Sequence, residues 1–313
     1  MKQKILITDK VHHLLPQGLE EMGFDVLYDT SIGMEQLPDI IAGYTGIVIN
    51  SKIKMTPAII DKAVQLKFIG RLGSGMEIID VPYATSKGIS CINSPEGNRD
   101  AVAEHAIGML LALNNNLIQA DAEVRKMEWH REKNRGVELK GKTLGIIGLG
   151  NTGSSVAKKM SSWELKIISY DKYRTDYGPE LGFVERVTLE DILNQADVIT
   201  LHLPLTDETR HMVDRSFLQK CKKMPVLINT SRGSVVKTED LLEALEKNWI
   251  SGACLDVFEN EKPSDYSIGE KAMYESLFMH NNLIVSPHIA GWTHQSLEKI
   301  ASVLLEKIKN VVC

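Results

Sequence analysis

Several things are scarce in this chain, and each scarcity removes a class of protein. Aromatic residues make up only 6%, with six Phe, four Trp and eight Tyr. That is too few for a surface on which single-stranded nucleic acid would stack. Neither charge sign dominates: 36 Lys and Arg face 41 Asp and Glu, a net charge of −5. No basic field invites a phosphate backbone, so no nucleic-acid partner is expected. The four cysteines, Cys91, Cys221, Cys254 and Cys313, form no CxxC and no metal-ligand spacing. They read as reduced thiols of a cytoplasmic protein without a bound metal. Long hydrophobic runs are missing too. Residues 5–7 are apolar, but Asp9 and Lys10 close the run, too early for a signal-peptide core. The apolar stretch 106–113 ends at three asparagines and cannot span a bilayer. A soluble protein with no membrane partner is expected.

What is present is an ordinary globular composition, 43% hydrophobic over 313 residues. That length suits two domains with substantial cores. Short apolar runs alternate with helical segments, the pattern of an α/β protein with parallel sheets. Strands are expected at 4–8, 25–28, 46–50, 68–70 and 89–92. Helices are expected at 16–22 and 57–64, the second capped by Thr56 with Pro57 in its first turn. The cluster Asn93-Ser94-Pro95-Glu96-Gly97-Asn98 reads as a break between domains. A long helix over 101–127 should follow, then strands at 143–148, 166–170, 198–201, 226–229, 252–255 and 283–286. A helix over 295–311 closes the chain. The polar stretch 258–282 is long for a loop and should hold a short helix near 271–278.

The strongest motif is Gly148-x-Gly150-x-x-Gly153, between an apolar strand and a helix. Gly148 permits the tight turn, Gly150 lets backbone approach a pyrophosphate, and Gly153 lets helix and strand close. The helix N-terminus then offers N–H groups to the phosphates. Asp171 ends the next strand, where a ribose-binding acid belongs. A carboxylate there opposes a 2′-phosphate and favours NAD over NADP, although Lys172 and Arg174 stand near enough to approach a phosphate.

Three further segments fall at carboxyl ends of strands, where open α/β sheets bind ligands. Asn229-Thr230-Ser231-Arg232-Gly233 offers a guanidinium fork suited to a carboxylate, or equally to a nearby loop carbonyl. Asp256 to Glu261 supplies three carboxylates, and Pro287-His288-Ile289-Ala290-Gly291 supplies an imidazole. A His and a Glu on neighbouring strand ends, beside an Arg, make an acid–base pair with an anion anchor. In the first half, Arg71-Leu72-Gly73-Ser74-Gly75 can form an anion nest.

Taken in order, these segments resemble the D-isomer-specific 2-hydroxyacid dehydrogenases. The matching stretches are 71–75, 93–95, 145–153, 202–206, 229–233, 255–257 with Glu261, and 286–292, nearly the whole length. The resemblance implies two Rossmann-like or flavodoxin-like open parallel-sheet domains with a cleft between them. Residues 1–98 and 288–313 would be the discontinuous substrate-binding domain, and 99–287 the NAD-binding domain. It implies a homodimer built through the nucleotide domain; because the chain ends at Cys313 just after the closing helix, no appended regulatory domain is expected. By position, Arg232 would hold the substrate carboxylate, His288 would carry the hydroxyl proton, and Glu261 would bond His288. Ser74, Gly148, Gly150, Asn151, Thr152, Gly153, Asp171, Leu203, Pro204, Thr209, Thr230 and Ser231 would contact or line the NAD site. So would Arg232, Asp256 (at the nicotinamide carboxamide), His288, Ala290 and Gly291. Ser74 and Gly75 would give amides to the substrate. Arg71 and Arg131 match positions that bind phosphate in members acting on 3-phosphoglycerate. A third such arginine falls at Asn50, with Lys52 or Lys54 as possible replacements. Lys262 interrupts the usual Glu-Pro pair, so Glu259 is the fallback for Glu261. The alternatives are a glyoxylate or hydroxypyruvate reductase and, in another class, an NAD-sensing binding protein.

Overall fold

The computed structural model describes residues 2–312, so Cys313 lies outside the described residues. The chain divides into two compact units. One runs through Arg99 and resumes at Trp292; the other is Asp100–Gly291.

The first unit holds strands β1 (Lys4–Ile7), β2 (Asp25–Tyr28), β3 (Gly46–Ile49), β4 (Phe68–Arg71) and β5 (Ser90–Asn93). Between them lie helices α1 (Leu14–Glu21), α2 (Leu37–Ile40), α3 (Pro57–Lys62) and α4 (Val81–Ser86). The strands pair in parallel in the order β2-β1-β3-β4-β5. Alternation along β1 puts Ile5 and Ile7 into one hydrophobic layer and Leu6 into the other. Burial on both faces is what a parallel sheet demands, and it accounts for the all-apolar runs. The closing helix belongs here because Ala301, Leu304 and Ile308 fill the layer with Ile5, Ile7, Leu15 and Leu19.

Helix α5 (Pro95–Asn114) starts in the first unit and continues in the second. The break between domains expected at 93–98 falls at 99/100, but inside a continuous helix and not in an irregular segment. Pro95 suits a first helical turn, and at Gly97 a methyl group would run into the backbone of Ile300. The single helix expected over 101–127 is two: Asn116 takes a left-handed φ of 51°, and α6 (Leu117–Val124) follows.

The second unit continues with β6 (Thr143–Ile147), α7 (Asn151–Met160), β7 (Lys166–Tyr170), β8 (Glu185–Arg186), α8 (Leu189–Gln195) and β9 (Val198–Leu201). Then come α9 (Arg215–Lys220), β10 (Val226–Asn229), α10 (Thr238–Glu246), β11 (Gly252–Leu255), α11 (Ile268–Phe278) and β12 (Leu283–Val285). The last helix, α12 (His294–Val312), lies in the first unit. The second sheet is wholly parallel, in the order β12-β11-β10-β9-β6-β7-β8. The order reverses between β6 and β9, the point at which such sheets bind ligands. The return to the first unit falls at Trp292, later than position 288. The cause is Asp256, which accepts bonds from Ser286, Ile289 and Ala290 and so holds that loop on β11.

Candidate active site

The glycine turn sits at the strand-order reversal. Gly148 has a φ of +89°, and a methyl group on it would meet the carbonyl of His202 beyond β9. Gly153 lies against the carbonyl of Gly148. Gly150 precedes α7 and faces open space. Asn151 is exposed and Thr152 half-buried in the first helical turn. These residues fit a dinucleotide, with an uncovered turn and free helix N–H groups where a pyrophosphate would lie.

Two side chains clasp Leu149, between the first two glycines. Asp171 accepts its N–H at 2.8 Å, and Arg174 Nη1 donates to its carbonyl at 2.6 Å. Asp171 also accepts the N–H groups of Tyr173 and Arg174. Arg174 donates further to Ser154, Tyr177 and Asp176. Lys172 pairs with Glu208 at 2.7 Å. Both cations that could have drawn a 2′-phosphate are thus engaged with protein groups.

Beyond β9, His202 bonds Thr200 Oγ1 at 3.0 Å, while its Nδ1 is buried and makes no hydrogen bond among the described residues. Burial lowers its pKa to about 4, so the ring is neutral near pH 7. Leu203 is half-buried, and Thr209 donates to the Pro204 carbonyl at 2.7 Å.

The loop after β10 is shaped by the buried Asn229. Its amide donates to the Arg232 carbonyl at 2.9 Å and accepts from Ser231 N–H and Oγ. Thr230 Oγ1 is buried and without a hydrogen bond among the described residues. Arg232 Nη1 donates to the Ser231 carbonyl at 2.7 Å. At Gly233 a methyl group would collide with the Phe258 carbonyl, so only glycine lets this loop touch the one bearing Glu261.

Asp256, after β11, is 1% exposed. Besides the three bonds given above, its carbonyl accepts the His288 N–H at 2.8 Å. The residue expected at the nicotinamide carboxamide thus also braces the histidine loop. His105 on α5 supports it, bonding Ser286 Oγ at 2.8 Å. Sequence reasoning missed His105; the signal was a lone imidazole on an otherwise apolar helical face.

His288 adopts a left-handed φ of 56°. Its Nδ1 lies 2.8 Å from Glu261 Oε2, and Glu261 Oε1 accepts the Phe258 N–H. The Glu261 bond raises the His288 pKa, against burial and the nearby Arg232 charge. For Glu261, burial pushes upward, but the His288 bond, the His288 charge and Arg232 hold the carboxyl below its ordinary value. Glu259, the fallback, faces elsewhere. It bonds His211 Nε2 at 2.5 Å and accepts the Thr238 N–H at 2.7 Å.

In the first unit, Arg71 Nη1 donates to the Leu72 carbonyl, and Gly73 has a φ of +122°. Ser74 Oγ donates to Asn98, its carbonyl accepts from Asn93, and Gly75 is buried. The Asn50 N–H donates to Asp9, and Lys52 donates to the Thr30 carbonyl. Arg131 is exposed in the segment after α6.

A reversed-order parallel sheet, a dinucleotide turn and an Arg–Glu–His set on adjacent strand ends define a dinucleotide-binding α/β domain with a polar site at its strand ends. Residues 107–290 match the family model described as D-isomer specific 2-hydroxyacid dehydrogenase, NAD binding domain. The chain belongs to that family, and its second unit is an NAD-binding domain. It is 38% identical over 310 residues to the D-3-phosphoglycerate dehydrogenase of Methanocaldococcus jannaschii, covering 99% of this chain and 57% of that protein. A glyoxylate reductase of Thermofilum pendens is 38% identical over 80% of this chain and 73% of its own length. The D-lactate dehydrogenase of Aquifex aeolicus, solved with NAD and lactic acid, superposes with a TM-score of 0.85 at 28% identity, covering 99% and 95%. The chain spans 54–57% of the length of the phosphoglycerate dehydrogenases it matches. Among the described residues no helix is long and apolar enough to cross a membrane.

Proposed function

We propose that the protein is an NAD-dependent D-2-hydroxyacid dehydrogenase, with 3-phosphoglycerate and 3-phosphohydroxypyruvate as its favoured pair, the first step toward serine. The observation that carries the reaction type is the 2.8 Å His288–Glu261 pair, with Arg232 on the adjoining strand end. The nicotinamide, when bound, accepts or supplies the hydride. His288 uses Nδ1 for Glu261, which leaves Nε2 to take the hydroxyl proton in oxidation and return it in reduction. Glu261 keeps the imidazolium accessible near neutral pH. Arg232 anchors the substrate carboxylate and polarises the 2-oxygen. Ser74 and Gly75 supply amides, and Arg71 with Arg131 would meet the phosphate. Thr230, whose hydroxyl has no hydrogen bond among the described residues, and Leu203, Pro204, Ser231, Ala290 and Gly291 complete the dinucleotide site.

A second reading, a glyoxylate or hydroxypyruvate reductase, is favoured by one feature of the first unit. Where a third cation was expected, Asn50 is neutral and bonded to the acidic Asp9. The test is a panel of 2-oxoacids with NADH, followed by absorbance loss. Phosphohydroxypyruvate should exceed hydroxypyruvate and glyoxylate in kcat/KM. Equal rates would transfer the assignment to the smaller acids, and no turnover of any would end the enzymatic reading.

A homodimer and a cytoplasmic location belong to this proposal. Leu117, Ile118, Met127, Trp129 and Val137 are exposed large apolar side chains along residues 117–137 of the second unit, where a second copy would cover them. Cys91, Cys221 and Cys254 are free thiols.

A further inference from the structure

Glu259 and Glu261 are rivals for His288. They are chemically identical and two residues apart in the same loop, so a slip of two positions would exchange them. Glu261 itself takes one 3.3 Å bond from the Phe258 N–H and is otherwise held by His288 and the Arg232 charge. The residue between the rivals is gripped on every polar group. The Asn260 N–H donates to Tyr274 Oη at 3.3 Å, and its carbonyl accepts from Tyr266 Oη at 3.1 Å. Its amide donates to Glu270 Oε1 at 3.2 Å and accepts the Lys262 N–H at 3.1 Å. Glu270 also closes the capping box of α11 with Ser267. Tyr274 is 2% exposed and stacks with Tyr266 and Phe278, while Phe258 meets it edge-on. The 258–282 stretch is thus an aromatic scaffold built around one asparagine.

We propose that α11 and the turn before it form a positioning element for the proton-transfer pair, with Asn260 as the pin. It directs Glu259 to His211 and α10 and leaves Glu261 to His288. This rests on the roles given above to Glu261 and His288. The charged groups acting on His288 are Glu261, Asp256 and Arg232. Of these, Asp256 is fixed by its own bonds to the histidine loop. Glu261 is the one whose place depends on Asn260.

The test follows His288 directly, by NMR titration of its imidazole, beside the pH profile of oxoacid reduction and NADH binding by fluorescence. Glu261→Gln sets the reference for a lost partner. Asn260→Ala and the milder Tyr266→Phe should move the His288 titration downward, toward that reference. Reduction on the alkaline limb should fall about three- to tenfold, with less than twofold loss on the acid limb and unaltered NADH binding. Lys271→Ala, on α11 but outside the network, should keep the native profile. If Glu261→Gln moves His288 but Asn260→Ala and Tyr266→Phe do not, the positioning role is overturned and the pair stands. If Glu261→Gln leaves His288 unmoved, both readings fall together.

Discussion

A methyl group at Gly153 would overlap the carbonyl of Gly148, which cannot yield without opening the turn. Gly153→Ala should therefore cost about 1–3 kcal/mol of stability and weaken NADH binding, read by chemical denaturation and fluorescence titration. The neighbouring residues explain why: Leu149 is fixed on both backbone sides, so the turn has no slack. His288 tests the chemistry. His288→Ala should lower kcat by about 10²–10⁴-fold while NADH still binds, because the role proposed for the ring is to move a proton. The pH dependence has a defined sign. The His288 pKa is raised, mainly by Glu261. Reduction needs the protonated ring, so its rate is full below that pKa and falls as pH rises through it. Oxidation, which needs the neutral ring, runs the other way. Glu261→Gln should bring the reduction limb down to lower pH; an unmoved limb would exclude Glu261 as the partner.

Among elements, α6 and the segment after it hang on one buried acid. Glu123 accepts from Gln119, Lys133 and Asn134, and these bonds hold its pKa at about 2, against 4.5 ordinarily. Such a depressed carboxylate stabilises the fold fully above pH 4.5 and loses that contribution as pH falls toward 2. Amide exchange in 117–135 should accelerate over that window while the sheets stay protected. Glu123→Gln should abolish the pH dependence. This element also marks where the sequence was hard to read. Strands such as Val226–Asn229 were legible to the residue, because double-sided burial leaves an unbroken apolar run. The start of α5 was not, since Pro95 and Gly97 look like breakers and are in fact a first turn and a close approach. The left-handed Asn116 that ends it is likewise a tertiary choice. The pairing of His288 with Glu261 was readable only by position in the family resemblance, with Glu259 as the fallback, because a loop this far past its strand has no periodicity to fix it. Asn260 and His105 were not legible, since their value comes from groups that reach them across 14 and 181 residues.

At the scale of the molecule, each unit has its own sheet covered on both faces by hydrophobic layers, and the dinucleotide turn belongs to one of them. Ligand binding should then appear as stability of that unit. A ligand that binds only the folded state, at a hundred times its dissociation constant, adds about 2.7 kcal/mol. For a unit of about 190 residues that raises the melting midpoint by roughly 5–10 °C. NADH should do this, and NADPH at the same concentration should do much less. The 2′-phosphate would meet Asp171, while Arg174 is committed to the Leu149 and Tyr177 carbonyls and Lys172 to Glu208. Asp171→Ala should shrink the NADH shift through loss of the Leu149 bond and of the ribose contact proposed for it. Arg174→Ala should weaken NADH as well, since it loosens the turn. The opposite outcome, Arg174→Ala sparing NADH while abolishing an NADPH shift in the native protein, would mean that Arg174 leaves its carbonyls to read the phosphate. The preference for NAD would then rest on Asp171 alone.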